Sequence, residues 1–192
     1  MIRPRIHSGA CDGADLTWEI EGNKYGLTTV AYSYSGHTRY ISNGDTTEVY
    51  VMTPEELLEG WKHVKIADET LKRNLSKIEY NPYVRNLLCR DWFQVKHSDA
   101  IFAVGYLEGK SKVEGGTGWA VQMGIDNNKL IYLFSQKDDT WYIYNYGAKQ
   151  FLKYYDVPDI NVDNFAGIGS RRLLDSGKKA IQEILKKNYG ND

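Results

Sequence analysis

Short apolar runs alternate along this chain with stretches of helical periodicity, and the clearest example lies between Asp99 and Phe134. Asp99 to Val104 suits a buried strand, and after Gly115-Gly116-Thr117-Gly118 the apolar positions Trp119, Ala120, Met123 and Ile125 recur near helical spacing. Asn127-Asn128 closes that helix, and Leu130 to Phe134 is strand-like again. The same sequence of strand, glycine turn and helix occurs twice more. Arg3 to His7 reads as a strand that runs through Ser8-Gly9-Ala10-Cys11-Asp12-Gly13-Ala14-Asp15 into a helix from Leu16 to Tyr25, closed by Gly26. Asp163 to Ile168 reads as a strand, Gly169-Ser170-Arg171-Arg172 as a turn, and Leu173 to Lys187 as an amphipathic helix with Leu174, Ala180, Ile181, Ile184 and Leu185 on its apolar side.

Between these units the pattern predicts a strand over Leu27 to Tyr34, then an irregular stretch from Ser35 to Val51 with Asn43-Gly44 as a hairpin signal. That stretch is expected to be a protruding loop or small ribbon, a flap near a ligand. Thr53-Pro54-Glu55-Glu56 carries every part of a helix start: a Thr cap, Pro at the first helical position, and Glu three residues after the cap. A second helix begins near Pro82 with Tyr83, Leu87, Leu88, Trp92 and Val95 on its apolar side, leaving Arg85, Asn86, Arg90 and Asp91 to other faces. The aromatic segment after Phe134, SQKDDTWYIYNYGAKQFLKYYDVPDI, reads as an edge strand with a short helix packed on the core; an aromatic wall for a base or sugar is the other reading.

Strands alternating with helices imply an α/β, Rossmann-like, mainly parallel sheet with helices on both faces, with a small hairpin or flap insertion at about 35–51 in a single domain spanning the 192 residues. In such a sheet every strand that precedes a helix ends on the same side. The turns at 8–15, 115–118 and 167–171 are therefore expected to open onto one crevice, where helix amino termini offer unpaired amides to anions.

Composition narrows the chemistry. Hydrophobic residues make up 42% and charged residues 26% of the chain, as in ordinary globular proteins, and the formal net charge of -1 argues against a nucleic-acid backbone as partner. No apolar run approaches the roughly 20 residues of a membrane span, and MIRPRIHSGA lacks a signal-peptide core, so the expectation is a cytosolic protein without a membrane partner. His7, His37, His63 and His97 lack metal-ligand spacing. GGTG lacks the Lys and Ser/Thr of a Walker A loop, and neither Cys11 nor Cys89 has the nearby His needed to propose a thiol nucleophile.

Ligand contacts are expected from Ser8, Gly9, Gly13, Gly115, Gly116, Thr117, Gly118, Gln122, Gly169, Ser170 and Arg171. Asp15 either bonds a ribose hydroxyl or caps its helix. Arg85 or Arg90 either reaches the crevice from the preceding helix or lies among exposed charges. Glu19 and Asp12 are the carboxylates near a turn with acid or base capacity, their alternative being ordinary surface roles.

At these turns the sequence resembles the SLOG superfamily, the Rossmann-like fold shared by Lonely-Guy phosphoribohydrolases and Smf/DprA proteins. The matching segments are HSGACDGAD, RNLLCRDWFQVKHSDAIFAVG, GGTGWAVQMGID and FAGIGSRR. Because the GIGSR-type unit stands last instead of first, the chain resembles the circularly permuted YpsA group, which includes proposed molybdenum-cofactor carriers, and SLOG-like proteins of phage genomes. Lonely-Guy enzymes use a PGG-x-GT-x-x-E motif whose Glu assists N-glycosidic cleavage. Laid on this chain, that Glu falls on Gln122, which has no acid-base function, and Trp119 replaces a small Thr. The resemblance thus implies a binding protein for a nucleotide or nucleotide-derived small molecule, needing no other cofactor, often homo-oligomeric, with a role in sequestering or sensing a nucleotide signal. The alternatives are a nucleoside-phosphate N-glycosidase using Glu19 or Asp12, or a cofactor carrier.

Overall fold

Local chemistry fixes where two of the helices begin, at Pro54 and at Pro82. The computed structural model describes residues 4–41 and 46–190. Its elements are β1 (Arg5–Ser8), α1 (Ala14–Lys24), β2 (Thr28–Ser33), β3 (Thr47–Val51), α2 (Pro54–Leu71), α3 (Leu75–Glu79), α4 (Pro82–Lys96) and β4 (Ala100–Gly105). They continue with β5 (Leu107–Glu108), β6 (Lys112–Val113), α5 (Gly115–Asp126), β7 (Leu130–Ser135), β8 (Thr140–Asn145), β9 (Gln150–Tyr154), β10 (Asn164–Gly169) and α6 (Asp175–Tyr189). The α2 start is the capping box expected: Thr53 Oγ1 accepts from the Glu56 amide at 3.3 Å, and the Thr53 amide donates to the Glu56 carboxylate at 2.8 Å. Asn81 caps α4 in a similar way, accepting from the Val84 amide at 3.2 Å ahead of Pro82.

The strands form one eight-stranded sheet in the order β3-β2-β1-β10-β4-β7-β8-β9, parallel from β3 to β7 and antiparallel beyond. β4 is buried along its whole length, with Ile101 and Ala103 facing one layer and Ala100, Phe102 and Val104 the other, as a central strand must. Helices α2, α4 and α5 pack on the first face and α1 and α6 on the second. The connections that leave β1 and β4 therefore depart on opposite faces, and β10 fills the slot between those strands. That is the arrangement at which an open α/β sheet leaves a crevice beyond its carboxyl edge. At the other edge the Arg5 amide bonds the Asp163 carbonyl at 2.8 Å, and Asn188 of α6 bonds Pro158 and Ile160 just before β10. The beginning of β1 and the end of α6 thus lie on the same side of the sheet.

Two expectations need correction. Thr47–Val51 is no flap but a parallel edge strand paired with β2 from Thr29↔Thr47 to Ser33↔Val51, because its alternating TEVYV completes the sheet; Asn43-Gly44 lies outside the described residues. The aromatic segment holds no helix. It forms the β8–β9 hairpin, in which Tyr142, Tyr144 and Phe151 cover one sheet face and Trp141, Ile143 and Tyr154 the other. Two-sided burial of this kind removes the alternation that would mark a strand. A further hairpin, β5–β6, leads directly into α5.

Candidate functional site

The first and third glycine turns are packed backbone to backbone. Gly13 has φ 88°, and a Cβ there would lie 2.5–2.6 Å from the Arg171 and Ser170 main chain. The Ala14 amide donates to the Ser170 carbonyl at 3.1 Å, the Ser170 amide to the Val104 carbonyl at 2.8 Å, and the Gly169 amide to Asp15 Oδ1 at 3.2 Å. The turn that opens α5 faces the same space, and its early amides lack intrahelical partners by position. Gly115 has φ 63°, and a Cβ on either Gly115 or Gly116 would meet only open space. All three turns border one cavity of about 670 Å³ at the carboxyl edge of the sheet.

Its floor carries a buried charge cluster. Arg90 is 4% exposed; its Nη2 lies 2.6 Å from Asp91 Oδ1 and its Nη1 3.9 Å from Asp15 Oδ2, while Nη1 also donates to the Gly9 carbonyl. Gln94 Nε2 donates to Asp91 Oδ1 at 3.2 Å. Burial pushes the Asp15 carboxyl up to about 7 and the Asp91 carboxyl up to about 6, in both cases against the pull of Arg90. Burial also works against the Arg90 charge, but Asp91, Cys11 and Asp15 hold the guanidinium more firmly protonated than usual. Two carboxyls thus share one cation. On the rim Arg171 brings its Nη2 to 4.0 Å from Cys11 Sγ, and Tyr83 borders the same cavity. Val84, Leu87, Leu88 and Ile168 supply an apolar wall.

Of the residues expected from sequence, Asp15, Arg90, Gly115 and Gly116 border the cavity, as do Thr117, Gly169, Ser170 and Arg171. Ser8, Gly9 and Gly13 lie behind it and shape the first turn: Ser8 Oγ donates to the Asp15 carbonyl at 3.3 Å, and Gly9 abuts Arg90. Gly118 packs against the Val113 carbonyl and Arg73. Gln122 donates to Asp126 Oδ1 at 2.8 Å within α5, away from the cavity. Arg85 lies over the Trp61 ring at 5.1 Å. Asp12 accepts from the Gly13 amide at 2.8 Å on the exposed side of the turn. Glu19 is fully buried and accepts from Thr47 Oγ1 at 2.7 Å, tying α1 to β3. The carboxyls that do border the crevice are Asp15, Asp91 and Glu114.

The sequence does not mark Asp91, Gln94 or Tyr83 as cavity residues, and it sets Cys11 aside for want of a nearby His. For Asp91 a signal existed: an Arg-Asp pair inside the apolar run LLCRDWF marks a charge pair that a buried helix must carry inward. For Cys11 none did, since its neighbour His37 stands 26 positions away. Among the described residues no group of His, Cys, Asp and Glu gathers closely enough to hold a metal ion, and no helix is long and apolar enough to cross a membrane. No protein-family model, curated protein or solved structure matches the chain.

Proposed function

We propose that the chain binds a nucleotide or nucleotide-derived small molecule in this crevice, as a SLOG-like carrier or sensor of such a molecule. The observation that carries this reading is the convergence of the open α5 amides and Arg171 on one cavity that also has an apolar wall. A helix amino terminus with a nearby guanidinium suits phosphate, and the wall formed by Val84, Leu87, Leu88 and Ile168 suits a base. The resemblance of the turn sequences to SLOG proteins points the same way. Asp15 is spoken for by the Gly169 amide and Arg90, so it shapes the floor and leaves little capacity for a ribose.

Calorimetry with a panel of nucleoside mono- and diphosphates tests the reading. Arg171→Ala is expected to weaken binding about 10–100-fold, the worth of a charged hydrogen bond. Gly116→Leu, whose side chain projects into the cavity, should abolish binding while leaving the thermal midpoint close to that of the parent. Unchanged affinity in both variants removes the crevice as the site.

A second reading, N-glycosidic cleavage, is favoured by one observation: Asp91, lifted to about 6 on the cavity floor, has the protonation behaviour of a general acid. Free base released from a bound nucleoside monophosphate, and lost in Asp91→Asn, would establish it over simple binding.

A further inference from the structure

Cys11 borders the cavity, and His37, on the loop after β2, lies behind it with Nε2 3.8 Å from Cys11 Sγ. We propose that Cys11 and His37 form a nucleophile and base pair acting on activated acyl groups whose leaving group is a phosphate. One tautomer of His37 serves this role. Ser33 Oγ lies 3.1 Å from His37 Nδ1, so an Nδ1 proton donated to Ser33 leaves the Nε2 lone pair facing the thiol. The ring is held by stacking on Tyr34 at 4.9 Å and 17°, by the His37 amide bonding the Tyr34 carbonyl at 3.0 Å, and by Tyr34 donating to the Tyr83 carbonyl of α4 at 3.2 Å. Arg90 Nη1 at 3.6 Å and Arg171 Nη2 at 4.0 Å are donors to the sulfur that gain strength as it becomes anionic.

The resting pair is neutral. Burial raises the Cys11 thiol, outweighing Arg90 and Arg171, while burial followed by Arg90, Arg171 and Arg39 lowers the His37 imidazole to about 4. The proton must therefore leave sulfur as the new bond forms, which is the task of a base already in contact. Asp15 and Asp91 act on the sulfur against Arg90 and Arg171, and these opposed charges suit an uncharged carbonyl carbon as the group attacked. Arg171, beside the sulfur on the rim, is placed to take the departing phosphate.

In the step proposed, Sγ bonds to the carbonyl carbon and the thiol proton passes to His37 Nε2. The carbonyl re-forms as the bond between carbon and phosphate oxygen breaks, and that oxygen takes a proton from water in the cavity, leaving a Cys11 thioester, phosphate, hydroxide and a protonated His37. The hydroxide adds to the thioester carbon, and His37, in contact with Sγ, returns its proton to the departing sulfur as the carboxylic acid is released. The other thiol offers a contrast: Cys89 is fully buried against Gly60 of α2, is pushed up to about 12 chiefly by burial, and does not border the cavity.

The choice of phosphate as leaving group rests on the binding reading above; the nucleophile and base pair does not. Two probes separate them, acetyl phosphate and p-nitrophenyl acetate, each followed by intact mass and peptide mapping. Both are expected to place one acetyl group on Cys11 and none on Cys89, and Cys11→Ala should remove it. His37→Gln should slow acetylation about 100-fold, with partial recovery in added imidazole, which a purely structural role would not show. Ser33→Ala, which keeps the ring but frees its tautomer, should slow it less, and serves if His37→Gln does not fold. Absence of both acetyl on Cys11 and Cys11-dependent acetate release with either probe, or an undiminished rate in both His37→Gln and Ser33→Ala, overturns the pair. Acetylation by p-nitrophenyl acetate alone overturns the phosphate leaving group and counts against the binding reading, while the pair stands.

Discussion

Replacing Arg90 with leucine is expected to cost about 3–5 kcal/mol of folding stability at neutral pH, because it strands two buried carboxyls without their cation. Leucine keeps the apolar stem of the side chain, so the loss isolates the charge and the bond to the Gly9 carbonyl. The pH dependence identifies the cause. Asp15 at about 7 and Asp91 at about 6 stand above the roughly 3.9 of an unfolded Asp, so each favours the folded chain at low pH and loses that contribution as pH rises through its folded value. Without Arg90 both should rise further. Buried histidines work the other way: His37, lowered to about 4, supports the folded chain above about 6.5 and loses that support as pH falls. Arg90 is the first of the charges that add to burial in lowering His37, so Arg90→Leu relieves part of this loss at acid pH and narrows the gap there further. Urea unfolding of both proteins near pH 5 and near pH 8 should therefore show a small gap at the acid end and a large one at the alkaline end. A gap of equal size at both would mean the carboxyls are not what the arginine holds. Adding Asp91→Asn to Arg90→Leu should recover part of the loss at the alkaline end, since one stranded charge disappears.

Arg90 also shows where reading the sequence stops. The start of α2 was fully legible because Thr53, Pro54 and Glu56 act on amides a few residues away. The convergence of three turns was legible too, since it follows from connectivity alone. By contrast, a one-sided amphipathic helix assigns Arg90 and Asp91 to a polar face, but α4 is packed by α2, α5 and the sheet, and from Leu88 to Val95 it has no solvent side. There the only way to carry a charge is to pair it. Gln122 illustrates the reverse case: aligned by resemblance with a catalytic Glu, it reaches forward along its own helix to Asp126. The Cys11 and His37 contact depends on how the loop after β2 folds over the first turn, where the Tyr40 amide reaches the Ala10 carbonyl at 2.8 Å, and no local pattern encodes that.

Trp18→Ala is expected to cost about 3–5 kcal/mol, as for other buried tryptophans cut to alanine. Trp18 is fully buried between α1 and β10, where it meets the Phe165 ring edge-on at 6.0 Å and donates its indole N–H to the Ile168 carbonyl at 3.3 Å. Its ring occupies the space where Gly167 has no side chain: a Cβ there would come within 2.7 Å of Trp18 Cγ. This contact seats α1 on β10 immediately below the first and third turns, so it sets their spacing. Gly167→Ala alone should cost about 1–3 kcal/mol, because the ring must be displaced from a packed core. In the Trp18→Ala background the same methyl enters the space the indole vacated, and most of its cost should vanish, leaving the contact with Ile6 Cγ2 at 3.0 Å. The double-mutant cycle should therefore show a coupling of at least about 1 kcal/mol by urea unfolding. Were Gly167→Ala equally costly in both backgrounds, the glycine would be required by the strand itself and not by the tryptophan. If the tryptophan does set the spacing of the turns, Trp18→Phe, which removes the N–H donor and part of the ring, should weaken nucleotide binding in proportion to the stability it loses, although residue 18 does not border the cavity.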